Sequence, residues 1–300
     1  MLKQFIFFPK NINLPFLCAK ILAGKTFPTI PSKNVTKIRY MSSKLQWDVK
    51  GILLDITGVL YESGQGAIKG SAESIEKLRQ KKIPFRFVTN ETQRTRPDLV
   101  SKLNSIGFSL SESEILSPGI VTSAYLKKMN LRPFLLVHPQ LVPEFSDCDQ
   151  TSPNCVVVGD AAENFSYENM NKAFQILLQL ENPILISMGK GKFYKEKGEI
   201  VMDLGGFTAA LEFAVGIEAK VIGKPSPDYF TAALEEMGVS PNQAVMVGDD
   251  INSDVHAAQK CGMKGVLVKT GKFRESDMNH PVVKPDAIVD NLAHFVDSLL

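Results

Sequence analysis

The chain is expected to form an α/β fold, a doubly wound parallel sheet with a second α/β domain inserted into it. Three observations predict this: short apolar runs rich in Val, Ile and Leu, helix-like stretches between them, and a polar residue at the end of each run. Apolar runs of this length without a polar face read as parallel strands covered on both sides. Open sheets of that construction bind ligands at the carboxyl ends of their strands. The runs are 50–54 before Asp55, 84–88 before Thr89 and Asn90, 219–223 before Lys224, 244–248 before Asp249 and Asp250, and 265–268 before Lys269. Their polar ends are expected to meet on one edge of the sheet, as in an enzyme.

Taken in order, residues 1–45 stand apart as a leader or a disordered extension. The first 47 residues carry eight Lys or Arg and no Asp or Glu, and Pro9, Pro15, Pro28 and Pro31 break them. An organelle-targeting leader has this charge pattern but more Arg and Ser, so an upstream start with translation also from Met41 is the competing reading. The first strand, 50–54, is followed by a helix that Ser71 can cap, with Ile75 and Leu78 on its apolar side. A second helix follows Pro97, with Leu99, Val100, Leu103 and Ile106 on one stripe and Gly107 as its stop. Residues 123–216 read as an inserted domain with strands near 133–137, 155–158 and 184–187. Its helix is capped by Ser166 and presents Met170, Ala173, Phe174, Leu177 and Leu178 at helical spacing. The main domain, expected over 46–122 and 217–300, resumes with a helix opened by Ser226-Pro227 and closed by Gly238.

Composition narrows the functional classes. Of the 34 basic residues, those eight lie in the leader, leaving 26 against 32 acidic ones. A folded part with that balance is a poor match for nucleic acid or an anionic membrane. No stretch reaches the roughly 18 apolar residues of a membrane span. Cys18, Cys148, Cys155 and Cys261 form no metal or disulfide spacing and read as thiols of a reducing compartment. The expected location is the cytoplasm, the nucleus included, or the mitochondrion if residues 1–45 are a transit peptide.

The strand ends carry chemistry as a set. Asp55, directly after its strand, can attack phosphorus if the phosphate charge is neutralised. Thr89 and Asn90 offer a hydroxyl and an amide to phosphate oxygens. Lys224 offers a cation between a buried strand and a proline-capped helix, where simple solvation is a poor explanation. Asp249, Asp250 and Asp254 are hard oxygen donors suited to Mg²⁺. Asp249 reads as a direct ligand, and Asp254 as a residue that holds waters or Lys224 in place. Each feature alone is bland: an Asp after a strand is usually a cap or turn residue.

In order and placement the four segments resemble the haloacid dehalogenase superfamily of phosphohydrolases, and the long insertion resembles the large α/β cap of one of its subclasses. The resemblance covers residues 46–300 and implies a Rossmannoid core that uses Mg²⁺. It implies Asp55 as nucleophile and metal ligand, Thr57 as a ligand through its carbonyl, and Asp249 as the third ligand. Thr89, Asn90 and Lys224 would hold the phosphate. Segments 55–61, 89–93, 152–157 and 189–196 narrow the match to members that cleave the P–N bonds of phospholysine and phosphohistidine and also inorganic pyrophosphate. The expected partner is therefore a small phosphorylated substrate or a phosphorylated Lys or His, and a homodimer is an assembly compatible with it.

The departure is Thr57, where most of the superfamily's phosphatases carry a second Asp that protonates the leaving group. General acids contribute roughly 10²- to 10⁴-fold, so their loss weighs most on alkoxide leaving groups and least on imidazole or inorganic phosphate. A small-metabolite phosphomonoesterase and a phosphate-binding module with little catalysis are the competing functions. Val158-Gly159-Asp160 imitates the metal motif but reads as a strand end in the cap. Lys190, Lys192, Lys195 and Lys197 form a basic loop that either reaches over a phosphate or is solvated.

Overall fold

A computed structural model describes residues 44–196 and 198–300. Residues 1–43, which hold most of the segment expected to be a leader or an extension, and Lys197 lie outside the described residues. The chain opens with β1 (Gly51–Leu54), fully buried, and a small hairpin of β2 (Tyr61–Glu62) and β3 (Gly66–Ala67). Next come α1 (Ser71–Gln80), β4 (Phe85–Val88), α2 (Arg96–Ser105), β5 (Ile115–Leu116) and α3 (Pro118–Met129). Thr95 caps α2 by accepting from the Asp98 N–H at 3.3 Å, and Pro97 sits in the first turn, where its missing N–H costs nothing. Ser71 is not the cap of α1. Gly70 takes that place at φ 83°, and the Ser71 hydroxyl lies 2.9 and 2.6 Å from the carbonyls of Leu60 and Ile68.

The insertion then supplies β6 (Pro133–Leu136), β7 (Cys155–Val158), α4 (Tyr167–Gln179), β8 (Leu185–Ser187), the hairpin β9 (Phe193–Glu196) and β10 (Glu199–Met202), α5 (Leu204–Val215) and β11 (Lys220–Val221). Ser166 caps α4, accepting from the Asn169 N–H at 3.2 Å. The chain closes with α6 (Pro227–Met237), β12 (Ala244–Gly248), a π-helical segment at Ile251–His256, α7 (Ala257–Lys260), β13 (Lys264–Val268), β14 (Ala287–Val289) and α8 (Leu292–Leu299).

Two parallel sheets result. The first runs β14-β13-β12-β1-β4-β5, and the second β11-β8-β7-β6. The expected strand at 219–223 therefore does not belong with the other four. Lys220 and Val221 pair with Ile186 and Ser187 at the edge of the cap sheet. Helix α3 likewise crosses the expected start of the insertion, its Leu126 packing with Val157 and Ile186 of the cap sheet.

Side chains of the first sheet alternate between two cores. Ile52, Leu54, Phe87, Val245 and Val247 face α1, α2 and α8, where Ile75, Leu78, Leu103 and Phe295 meet them. Leu53, Val88 and Met246 face α6 and α7, against Tyr229, Phe230, Ala233 and Ala258. Both faces being covered explains why these strands read as continuous apolar runs. Burial of each large side chain contributes about 1.5–3 kcal/mol, and the three central strands β12, β1 and β4 are held side by side.

Candidate active site

Asp55, Thr89 and Asp249 follow β1, β4 and β12, three neighbours spaced about 4.8 Å apart in the sheet. Strand pairing thus brings together residues almost two hundred positions apart in the chain. Lys224 enters from the cap sheet's edge strand. Its ammonium lies 2.7 Å from Asp55 Oδ1 and 2.8 Å from Asp254 Oδ1, and it is 3% exposed. The side chain of Asn90 clamps the backbone of the same residue: Nδ2 donates to the Lys224 carbonyl, and the Lys224 N–H donates to Oδ1, both at 2.8 Å. Most of the Asn90 amide is committed to placing that lysine, leaving one N–H free of it.

The turn after β4 is equally constrained. The Tyr229 hydroxyl lies 2.8 and 2.7 Å from the carbonyls of Thr89 and Leu116. Thr89 Oγ1 accepts from the Glu91 N–H at 3.0 Å, which leaves its own hydrogen for a ligand. Thr57 is half-buried, and its hydroxyl lies 3.3 Å from that of Tyr61.

Glycine makes room for the second carboxylate. A Cβ on Gly58 or on Gly271 would stand 2.0 or 1.9 Å from Asp249 Oδ2, so neither position admits a side chain without moving Asp249. The Lys272 N–H donates to the same oxygen at 2.7 Å, and its ammonium lies 3.4 Å from Asp250 Oδ2. Asp250 also accepts from the N–H groups of Asn252 and Ser253, both at 3.0 Å. Burial works against its charged form, but Lys272 and these two donors together hold its pKa below the usual range.

Asp55, Asp249 and Asp254 bring carboxylate oxygens within 4.8 Å of one another, all buried. Burial, then the charge of Asp55, push the Asp249 carboxyl well above its ordinary pKa. Burial raises Asp254 to about 7, opposed by Lys224 and aided by Asp55. For Lys224, burial alone would lower the ammonium, but the charges of Asp254 and Asp55 prevail and hold it above its usual value. Three crowded hard-oxygen donors fit a small dication, which would relieve their repulsion. Asp254 is the least available of them, since Oδ1 meets Lys224 and Oδ2 accepts from the Asp250 N–H at 3.1 Å.

All seven residues singled out in the sequence, Asp55, Thr57, Thr89, Asn90, Lys224, Asp249 and Asp254, line one cavity of about 400 Å³. The insertion contributes Asp160, Gly191, Tyr194, Lys195 and Asp203 to its lining. Lys195 reaches the carbonyl of Gly271, whereas Lys190 turns to Glu212 at 3.2 Å, so the basic loop does not act as one unit. Asp160 does end its cap strand, and it also faces the cavity. Sequence reasoning did not find Gln93, Tyr194, Asp203 or Lys272. Gln93 and Tyr194 do lie in segments 89–93 and 189–196 that carried the resemblance, and Gln93 also stands close to Thr89-Asn90, but neither was given a role.

Fold and site together define a capped α/β hydrolase. The family model described as haloacid dehalogenase-like hydrolase matches residues 52–151, and one described as HAD-hydrolase-like matches residues 221–295. The phospholysine phosphohistidine inorganic pyrophosphate phosphatase of Rattus norvegicus is 53% identical over 255 residues, covering 84% of this chain and 94% of that protein. The human haloacid dehalogenase-like hydrolase domain-containing protein 2 is 38% identical over 252 residues, 84% of this chain and 96% of that protein. Among solved structures, the 4-nitrophenylphosphatase of Thermotoga maritima superposes with a TM-score of 0.77 at 28% identity, covering 84% of this chain and 98% of that one. The chain belongs to the haloacid dehalogenase-like hydrolases and is an enzyme of that family. Among the described residues no helix is long and apolar enough to cross a membrane.

Proposed function

We propose that the protein is a Mg²⁺-dependent phosphatase that cleaves the P–N bonds of phospholysine and phosphohistidine and hydrolyses inorganic pyrophosphate. The observation that carries this reading is the buried Asp55 carboxylate held 2.7 Å from the Lys224 ammonium in the cavity of about 400 Å³. Its substrate class is supported by the name of the rat protein at 53% identity. Asp55, Asp249 and the Thr57 carbonyl would hold Mg²⁺, which neutralises charge on the phosphoryl oxygens when bound.

Asp55 attacks phosphorus, and the bond to the leaving atom breaks with its electron pair going to that atom. Where the leaving atom is an amine nitrogen, it takes a proton from solvent first. Water then attacks phosphorus, the bond from phosphorus to the Asp55 oxygen breaks with its electron pair returning to the carboxylate, and inorganic phosphate leaves with the water's oxygen and protons. Lys224, Thr89 and the free N–H of Asn90 hold the phosphoryl oxygens, and Asp254 keeps Lys224 directed at them. No side chain two residues after Asp55 can donate an acidic proton, which suits leaving groups that need none.

The same reading assigns 46–122 and 217–300 to the catalytic core and 123–216 to the cap, with the cap sheet extended to Val221 by strand pairing. A cytoplasmic location is supported by Cys148, Cys155 and Cys261, all free thiols. Assembly as a homodimer is supported by the apolar outer side of α5, where Phe213 is 92% exposed.

Phosphate release from phosphohistidine, pyrophosphate and a panel of phosphate esters tests the proposal. Activity on the first two should vanish with excess chelator and in Asp55→Asn, whose amide is nearly isosteric but cannot attack phosphorus. Equal turnover with Mg²⁺ and with chelator would refute it. A clear preference for sugar esters would favour a phosphomonoesterase instead.

A further inference from the structure

Gln93, three residues past Asn90, reaches across the seam between core and cap. Its Nε2 donates to Asp160 Oδ2 at 2.8 Å and to the Tyr194 hydroxyl at 3.3 Å. Beside it, Thr92 Oγ1 accepts from the Asp160 N–H at 2.9 Å. Gln93, Asp160 and Tyr194 all line the cavity, so one core amide, three residues past the phosphate-binding turn, fixes two polar groups of the cap.

Asp160 gives that wall a negative charge. Of the cavity's cations, Lys224 pairs with Asp55 and Asp254, Lys272 with Asp250 and Arg94 with Glu91 at 3.6 Å, while the Lys195 ammonium donates to the neutral carbonyl of Gly271 and keeps its charge. Lys102 donates to the Tyr61 hydroxyl at 2.8 Å, on the core side. Among the described residues Asp160 forms no ion pair. Its Oδ1 accepts from the Ala162 N–H at 3.1 Å and its Oδ2 from Gln93. A carboxylate offers about four acceptor sites, so capacity remains.

We propose that Asp160 and Tyr194, positioned by Gln93, form the leaving-group wall and select nitrogen leaving groups that bring N–H donors and positive charge, the amine of lysine or the imidazole of histidine. The inference rests on the phosphatase reading above. An ammonium or imidazolium can donate to the Asp160 carboxylate and the Tyr194 oxygen and is attracted by the charge. Inorganic phosphate leaving from pyrophosphate brings negative oxygens to the same wall and is repelled. The phosphoryl group is bound alike in both substrates. Discrimination therefore falls to this wall, through the charge and the acceptors of its half-buried Asp160 and Tyr194.

The test is kcat/KM for phosphohistidine and for pyrophosphate at saturating Mg²⁺, in the unaltered protein and in Asp160→Asn, Tyr194→Phe and Gln93→Leu. The ratio should move toward pyrophosphate by about tenfold in Asp160→Asn, chiefly through a higher KM for phosphohistidine, and in the same direction in the other two. Tyr194→Phe, which keeps the ring, decides the matter if Asp160→Asn does not fold. An unchanged ratio, or an equal loss on both substrates, overturns the inference and leaves the phosphatase reading standing. An unaltered protein inactive on both substrates overturns that reading and the inference with it.

Discussion

Lys224 is the residue on which the site turns, because it is buried between two carboxylates and has no water to fall back on. Removing one partner of a buried ion pair costs about 3–5 kcal/mol, since the charge that remains is uncompensated. Asp254 shows how finely this is balanced. In an unfolded chain its carboxyl titrates near ~3.9, whereas burial beside Asp55 raises it to about 7 in the fold. The folded state then binds the proton more tightly, so this contribution to stability is whole below pH ~3.9 and is lost as pH rises through about 7. Asp254→Asn keeps an oxygen near Lys224 and removes the titration. With a chelator present, its urea midpoint should fall less between about pH 5 and about pH 8 than that of the unaltered protein. Parallel pH profiles for the two proteins would show that Asp254 titrates as an ordinary carboxylate.

At the level of elements, the turns after β1 and β13 matter as much as the strands they follow. Gly58 has φ 89° and Gly271 φ 63°, and both back directly onto Asp249. Gly271→Ala should cost about 1–2 kcal/mol through the left-handed backbone alone. Because the new Cβ would stand 1.9 Å from Asp249 Oδ2, it should also displace that carboxylate. Apparent Mg²⁺ affinity, read from activity against Mg²⁺ concentration, should fall by about tenfold or more. An unchanged Mg²⁺ curve would mean that Asp249 holds no metal. Strands β1, β4, β12 and β13 were legible in the sequence because each is a continuous apolar run closed by a polar residue. β11 was legible as a strand but not as a member of the cap sheet, since two residues of Lys and Val carry no mark of the sheet they join. Ser71 misled for a local reason: Gly70 tolerates the left-handed conformation that ends the turn, which frees the serine to bond backward to Leu60 and Ile68.

Across the whole molecule, the polar contacts between core and cap include Gln93 to Asp160 and Tyr194, Thr92 to Asp160, the Arg96 N–H to Glu144, and Lys195 to Gly271. The sheets on either side are built from residues 45–300, and every cavity-lining residue falls within that range. Protein beginning at Met41 should therefore remain soluble and retain the kcat/KM of the full chain. Light scattering on that protein should give the mass of two chains. Insoluble protein would show that residues 1–40 take part in folding, and a single-chain mass would remove the homodimer.

Eight of the strands, four of the helices, the polar residues that follow the strands and the departure at Thr57 were determined by the amino-acid sequence alone. They depend on short-range pattern: apolar runs, caps, and polar residues at fixed offsets, which a linear reading can see. The pairing of Lys220-Val221 with the cap, the commitment of Asn90 to the Lys224 backbone, and the wall made by Gln93, Asp160 and Tyr194 were decided by tertiary structure. Gln93 stands 67 residues from Asp160 and 101 from Tyr194. No periodicity links such positions, and only the packing of two sheets around one cavity brings their side chains within hydrogen-bonding distance.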